Sequence, residues 1–309
     1  MQAMLLAAGL GTRLKPLTDL RPKPVVPVAN RPLGAFAMDH LARVGVQSIV
    51  ANTHPQPELV EGILRTHCPD GVDLAFSRET TLLGTGGGLR KARACFEDRT
   101  APVIVMNGDT LFAPDLSEAY RQHLALGAVA TMILRRTPDP ARFGAIGIDS
   151  EGWVRTLLGS PSGSDVTEEL MFTGVYILAP EAFEDMPESG CVIRSAYRRW
   201  VDAGAPVLGI VDESPWADLG TVSDYHRVNL ELASGFRRWP GIEPVEGSLL
   251  TTHRVSPASR SAIRNSVVGR NVEIVEGASI DACVVWSGSV ITRSASRAVI
   301  TPEHRIELS

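Results

Sequence analysis

The chain has 309 residues, 44% of them hydrophobic and 21% charged, with a formal net charge of −5. This is the balance of a soluble globular protein with room for one large domain and a smaller one, and it argues against a general binder of nucleic acid or anionic membranes. Cys68, Cys95, Cys191 and Cys283 lie far apart, with no C-x-x-C pair and no histidine at ligand spacing, so neither a zinc site nor a disulfide framework is expected.

"MQAMLLAAGLG" is a short apolar run with no basic residue before it and with Arg13 and Lys15 directly after it, so it reads as a strand rather than a signal peptide. No later run approaches membrane-spanning length, and a cytoplasmic location is expected. "AMLLAA" (3–8), "QSIVANT" (47–53) and "PVIVMN" (102–107) are candidate strands of a sheet buried on both faces. Between them, "PLGAFAMDHLARVG" (32–45) predicts a helix opened by Pro32 and closed by Gly45, with Phe36, Leu41 and Val44 on one face. Further helices are predicted near 58–67 and 89–95. This alternation implies a doubly wound α/β sheet that binds ligands at the carboxyl ends of its strands.

The middle of the chain turns to strands, at 130–136, 143–149, 153–158 and 171–178, with "DSEG" (149–152) as a turn. Helices return near 192–203 and 222–233, and residues 235–247 have the glycine and proline content of a linker. In the tail, Val268, Ile274, Ile280 and Trp286 recur every six residues, each followed four positions later by Val272, Ala278, Val284 or Val290. Such a period suits a hexapeptide β-solenoid better than a helix or a simple meander, although the tract allows only one to two coils.

Several stretches carry chemistry. Gly9-Leu10-Gly11 follows a buried strand, where successive amides could cradle an anion, but a tight turn without a ligand fits as well. The loop is not a Walker sequence, and Leu14 occupies the third glycine position of a dinucleotide fingerprint. Arg13 and Lys23 flank an excursion stiffened by Pro16, Pro22 and Pro24, which suits two immobilised cations over a triphosphate. "VMNGDT" (105–110) ends a strand at Asp109, placed either to hold Mg2+ or to cap a turn. In "PWADLGT" (215–221), Asp218 offers a second carboxylate, with a helix-cap role as its alternative. "SRETTLLGTGGGLRKA" (77–92) puts three glycines ahead of a predicted helix, read either as a flexible loop or as backbone closing on a flat ligand.

Together, "LAAGLGTRLKPLTDLRPKPVVPVANRPL", "LLGTGGGL", "NGDT", "FGAIGID", "FTGVYIL" and "WADLGTVSDY" resemble the sugar-1-phosphate nucleotidyltransferases, in that family's order and from Met1 to about Ala233. The resemblance implies a Rossmann-like doubly wound mixed sheet, the nucleotide-diphospho-sugar transferase fold, with a short C-terminal left-handed β-helix. Its implied boundaries are a catalytic domain at 1–234, a linker at 235–247 and a hexapeptide tail at 248–309. The nucleotide would meet Leu6, Ala7, Ala8, Gly9, Gly11, Thr12, Thr85, Gly86, Asn107 and Gly108. Arg13 would bind the leaving pyrophosphate, Lys23 would neutralise the α-phosphate, and Asp109 would complete the catalytic set. Asp109 and Asp218 would hold Mg2+, while Gly144, Glu169, Thr173 and Gly174 would line the sugar-phosphate pocket. Many relatives carry Glu-Lys-Pro after the strand matching "WVRTLL"; here Gly159 and Ser160 stand in its place, as in relatives that act on N-acetylmuramate-1-phosphate, and Arg155 is the candidate substitute.

The "LGT" ahead of the glycines and the short tail resemble mannose-1-phosphate guanylyltransferases most, which makes GTP and mannose-1-phosphate the expected substrates. The alternatives are uridylyl or thymidylyl transfer to N-acetylmuramate-, N-acetylglucosamine- or glucose-1-phosphate. A silent regulatory subunit would be expected to have lost Arg13, Lys23, Asp109 or Asp218, and all four are present. An acyltransferase site in the tail is not expected, because His253 and His304 lie outside the repeats. The tail is expected to cover the catalytic domain's edge or to form a homo-oligomer interface, to be tested by truncation before Leu249.

Overall fold

The computed structural model describes residues 1–159, 165–243, 250–251 and 262–308, with the side chains of 250 and 251 left aside. Ser160, Leu249, His253 and the junction between the expected linker and tail lie outside the described residues. The chain forms two compact units, one of Met1–Leu10 with Gly34–Trp216 and the other of Gly11–Leu33 with Ala217–Ser309.

The first unit is built on a nine-stranded mixed sheet. Strand Gln2–Ala7 lies between Ser48–Thr53 and Val103–Asn107, parallel to both, and Asp73–Arg78 extends the parallel half. Ala3, Met4 and Leu5 are fully buried, as a strand covered on both faces requires. The connections carry helices Leu33–Arg43, Pro57–Arg65 and Gly84–Ala92. The expected helix at 32–45 ends at Arg43, with Phe36 and Leu41 buried and Val44 beyond its last turn. Strand Asp73–Arg78 escapes a reading based on apolar runs because its residues alternate between exposed and half-buried over most of its length.

The other half of the sheet is organised by one long strand, Glu168–Leu178. It pairs antiparallel with Val103–Asn107, Ala130–Arg135 and Ala145–Ile148. Its register shifts between Phe172 and Val175, where Gly174 takes φ +85°. That bulge lets one strand serve different partners along its length. Val154–Leu157 closes this edge, and Val207–Val211 adds a parallel pairing to Ala130–Arg135. The expected turn at 149–152 is present, closed by Gly152 N–H donating to Asp149 O at 3.1 Å. Below the sheet, Phe172, Tyr176, Tyr197 and Trp200 stack edge to face or tilted with successive ring centroids 5.7, 5.9 and 5.1 Å apart. The helix expected over 192–203 begins as a π turn at Ile193–Tyr197 and becomes an α-helix at Arg198–Asp202.

The second unit is centred on helix Val222–Ala233, whose N-cap Thr221 accepts from Asp224 N–H. The buried face of this helix is partly polar. Asn229 Oδ1 accepts from Ala29 N–H at 2.8 Å, and Tyr225 Oη donates to Pro27 O while accepting from Trp286 Nε1 at 2.9 Å. His226 Nε2 meets Ala282 O at 2.7 Å. The helix therefore ties the proline-rich segment and the tail into one packed body. The tail is a short β-helix of parallel coils: Leu250 pairs with Val267, Val267 with Val284, and Val284 with Val299. These offsets are 17, 17 and 15 residues, so six-residue spacing describes the flat sides but not the whole coil. Its corners show the reason. Asn265, Ala282 and Arg297 occupy equivalent positions in successive coils, and all adopt left-handed φ of 44°, 50° and 49°. In the described part of the expected linker, Trp239 is 6% exposed and bridges to Ile242, while Phe236 is 82% exposed.

The buried histidine of helix Leu116–Ala125 gives the fold an acid-sensitive point. His123 is 2% exposed, with Nδ1 2.9 Å from Thr131 Oγ1, and burial pushes its pKa from 6.5 down to about 4. The unfolded chain therefore takes up a proton that the folded chain refuses between pH 6.5 and about 4. Stability is complete above that window and falls as pH drops through it, by about 3 kcal/mol at most. Urea unfolding across this range should show that loss, and His123→Gln should flatten the slope; an equal slope in both proteins would remove His123 as the cause.

Candidate active site

The cationic cluster lies within the second unit and is built by its proline-rich segment. Gly11 has φ +60°, and a Cβ there would lie 2.9 Å from Thr18 Cγ2 and 3.0 Å from Lys23 Cβ. Glycine therefore serves both the left-handed turn and the approach of Lys23. After it come the 3-10 turn Thr12–Leu14, the short helix Leu17–Leu20 and a second 3-10 turn at Lys23–Val25. Lys23 is 5% exposed, and its Nζ lies 3.5 Å from Asp218 Oδ1. Arg13 projects further out, its side chain 72% exposed, with Nη2 3.8 Å from Asp218 Oδ2. Two cations and one carboxylate named from the sequence thus meet at one place. Gly220 shapes this cluster: a Cβ there would sit 2.7 Å from Asp218 Oδ2 and 3.2 Å from Arg13 Nη1.

The remaining expected residues lie in the first unit, apart from Gly11 and Thr12, which belong to the second. Leu6 and Ala7 end the first strand, and Ala8, buried, and Gly9, exposed, follow it. Leu6 pairs with Asn107, and Gly108 N–H donates to Leu6 O at 2.9 Å, so Asp109 leaves the carboxyl end of a neighbouring strand. Next to it, Thr110 Oγ1 is buried with no hydrogen-bond partner among the described residues. Thr173 and Gly174 form the bulge: Thr173 Oγ1 donates to Ile133 O at 2.7 Å, and Trp216 Nε1 donates to Thr173 O at 3.2 Å. Trp216 also meets Phe143 edge to face at 5.9 Å, directly before Gly144. Glu169 is exposed and pairs in register with Gly147. Arg155 is held by Asp149, with Nε 2.7 Å and Nη2 2.6 Å from Oδ2. Burial pushes the Asp149 carboxyl up, but hydrogen bonds from Trp153 N–H and Arg155 hold it below the usual carboxylate range.

The glycine-rich stretch is itself helical, starting at Gly84 and running to Ala92. Glycine is a poor helix former, so the sequence favours a loop before a helix that begins near Leu89. Packing decides otherwise. Gly86 N–H donates to Gly190 O at 2.9 Å, and Gly190 N–H donates to Leu83 O at 2.7 Å. Cβ atoms at Gly86 and Gly87 would lie 2.6 Å from Pro187 Cγ and 2.5 Å from Glu188 O. On this side the glycines admit the chain's own 187–190 segment. Thr85 Oγ1 is engaged too, accepting from Val192 N–H at 2.9 Å.

Sequence reasoning passed over Asn52 and Glu79, because no motif marks them. Both are buried, at 3% and 4% exposure. Asn52 Oδ1 accepts from Ala7 N–H at 2.8 Å, Asn52 Nδ2 donates to Glu79 Oε1 at 2.7 Å, and Glu79 Oε2 accepts from Leu83 N–H at 2.8 Å. Gly88 leaves room for this pair, since a Cβ there would lie 2.8 Å from both Asn52 Nδ2 and Glu79 Oε1.

Comparison with known proteins supplies the wider setting. A family model described as Nucleotidyl transferase matches residues 2–235. A mannose-1-phosphate guanylyltransferase of Mycobacterium tuberculosis is 30% identical over 93% of this chain and 80% of its own length. A UTP–glucose-1-phosphate uridylyltransferase of Synechocystis is 28% identical over 95% of this chain and 82% of its own. Among solved structures, HddC from Yersinia pseudotuberculosis, complexed with GMP-PN, is similar in fold, with a TM-score of 0.61 and 24% identity; the match covers 76% of this chain and 99% of that one.

The glycine helix yields a stability test. Gly87→Ala must displace backbone rather than a side-chain tip, and should lower unfolding stability by about 2–3 kcal/mol. An unchanged urea midpoint would show that the 187–190 segment yields freely.

Proposed function

Since the chain belongs to the nucleotidyl transferase family, we propose that it joins a nucleoside triphosphate to a sugar-1-phosphate, with GTP and mannose-1-phosphate as its preferred pair. The products are then GDP-mannose and pyrophosphate. A phosphate oxygen of the sugar-1-phosphate attacks the α-phosphorus of the triphosphate, and the bond to the pyrophosphate oxygen breaks. The nucleophile is already an anion, so the enzyme's work is alignment and charge neutralisation rather than proton removal. The observation that carries this reading is the gathering of Arg13 and Lys23 around Asp218. In it, Lys23 neutralises the α-phosphate and the more exposed Arg13 holds the departing pyrophosphate.

The donor chemistry suits Mg2+. Asp109 and Asp218 offer hard carboxylate oxygens, and beside Asp109 the buried Thr110 hydroxyl has no partner among the described residues. Those described residues include no cluster of three or more His, Cys, Asp or Glu side chains able to hold a metal. Mg2+ characteristically binds through one or two carboxylates together with substrate phosphates, whose charge it offsets. Under the same proposal, Ala7 to Gly11, Thr85 and Gly86 face the nucleotide, and the bulge at Thr173–Gly174 with Gly144 and Glu169 faces the sugar phosphate. Arg155, engaged with Asp149, is the remaining candidate for its phosphate. Uridylyl transfer to glucose-1-phosphate is the second reading, favoured by the similarity to the Synechocystis enzyme over nearly the whole chain. Among the described residues no helix is long and apolar enough to cross a membrane. A cytoplasmic location and a homo-oligomer through the β-helix complete the proposal; light scattering on the full chain reads the second.

Pyrophosphate release with Mg2+ tests the reaction, crossing GTP, UTP, dTTP, ATP and CTP against mannose-, glucose-, N-acetylglucosamine- and N-acetylmuramate-1-phosphate. GTP with mannose-1-phosphate should give the highest kcat/KM. Asp109→Ala and Lys23→Met should each lower it by about 100-fold or more. A different dominant pair would reassign the substrates, and silence across the grid would favour a regulatory subunit.

A further inference from the structure

The buried pair Asn52–Glu79 joins the end of the first strand to the start of the glycine helix. One end of the chain of hydrogen bonds is Ala7 N–H, the other is Leu83 N–H, and both are backbone groups that can only donate. With donors at both ends, every polarity between them is fixed. Asn52 must present its oxygen to Ala7 and its amide hydrogens to Glu79, and both Glu79 oxygens must accept. Glu79 is further anchored by its backbone: its N–H donates to Thr53 O at 3.0 Å, and its carbonyl meets His54 Nδ1 at 3.1 Å.

A buried carboxylate is an expensive way to hold two segments together, since an apolar pair of similar volume is often as stabilising. What it adds is a defined spacing and orientation. Here the segments it fixes are those ending in Ala7 and beginning with Gly84-Thr85-Gly86, which the proposed reaction assigns to the nucleotide. We propose that Asn52 and Glu79 are positioning residues for the nucleoside triphosphate: their hydrogen-bond chain sets the separation of the two base-facing segments and thereby the affinity for the nucleotide. The inference rests on the nucleotidyl-transfer reading.

The polarity argument supplies its own test. In Glu79→Gln one contact must place N–H against N–H. Turning the new amide moves the conflict to Asn52, and turning Asn52 moves it to Ala7, so no orientation satisfies the chain. In the double variant Asn52→Asp with Glu79→Gln the pattern closes again. Ala7 N–H and the introduced glutamine amide would donate to the introduced aspartate, and Leu83 N–H to the glutamine oxygen. The measurement is KM for GTP, or for the triphosphate that the grid selects, beside KM for the sugar phosphate, equilibrium binding of the nucleotide, and Tm.

Glu79→Gln should raise the nucleotide KM and Kd about tenfold with the sugar-phosphate KM within about twofold, and the double variant should return both to near the wild-type values. A folded Glu79→Gln protein with unchanged nucleotide affinity overturns the positioning role. So does a double variant that regains Tm without regaining nucleotide affinity, because that pattern marks a purely structural pair. If Glu79→Gln does not fold, the double variant decides alone: wild-type nucleotide affinity supports the role and weakened affinity overturns it. A wild-type protein that binds none of the triphosphates overturns the transfer reading itself, an outcome distinct from the others.

Discussion

An ammonium group that is almost buried is tolerable beside a carboxylate, and much of the second unit is arranged around that constraint. Gly11 leaves room for the lysine stem, since a Cβ there would lie 3.0 Å from Lys23 Cβ. The prolines at 16, 22 and 24 reduce what is lost on ordering this segment, and Asn229 and Tyr225 fasten its far end through Ala29 and Pro27. Gly220 then leaves the space in which the Arg13 guanidinium lies alongside the same carboxylate. The cluster is in this way held by neutral hydrogen bonds and by missing side-chain atoms, while both cations turn toward one carboxylate.

The first unit meets a different demand. Amide groups at the end of a strand and at the start of a helix must each find an acceptor. At Ala7, the last residue of the first strand, that acceptor is the Asn52 side chain, and at Leu83, just before the glycine helix, it is Glu79. Along the long antiparallel strand the bulge at Gly174 interrupts pairing, and the Trp216 indole occupies the Thr173 carbonyl. Polar side chains thus satisfy backbone groups where the ladder is interrupted or ends.

How much of this could be read in the sequence depended on whether the signal was local. The first strand, the helix at 222–233, the turn at 149–152 and the cations around Asp218 were legible, because apolar runs, caps and a long motif carry them. The glycine helix was not, because its conformation is decided by a segment about a hundred residues away. Asp73–Arg78 was missed for its alternation, and in Val207–Val211 the central Gly209 interrupts the apolar run. The six-residue tail period located the β-helix but not its coils of 17 and then 15 residues, since left-handed corners at Ala282 and Arg297 follow no apolar pattern. Asn52 and Glu79 are single polar residues whose meaning lies in what they touch.

The helix Gly84–Ala92 has four glycines among nine residues. Relative to alanine, the three in its interior, Gly86 to Gly88, cost the helix roughly 3 kcal/mol of intrinsic propensity, more than so short a segment can supply alone. Its order is borrowed from the 187–190 segment lying against it, and that segment in turn has its carbonyl and amide at Gly190 satisfied by the helix. Neither piece has a stable conformation to offer the other in advance, so the two make one cooperative element that forms or melts as a whole. Amide exchange along the helix would then report the state of a loop far away in the chain. A ligand gripping either piece would slow exchange in both.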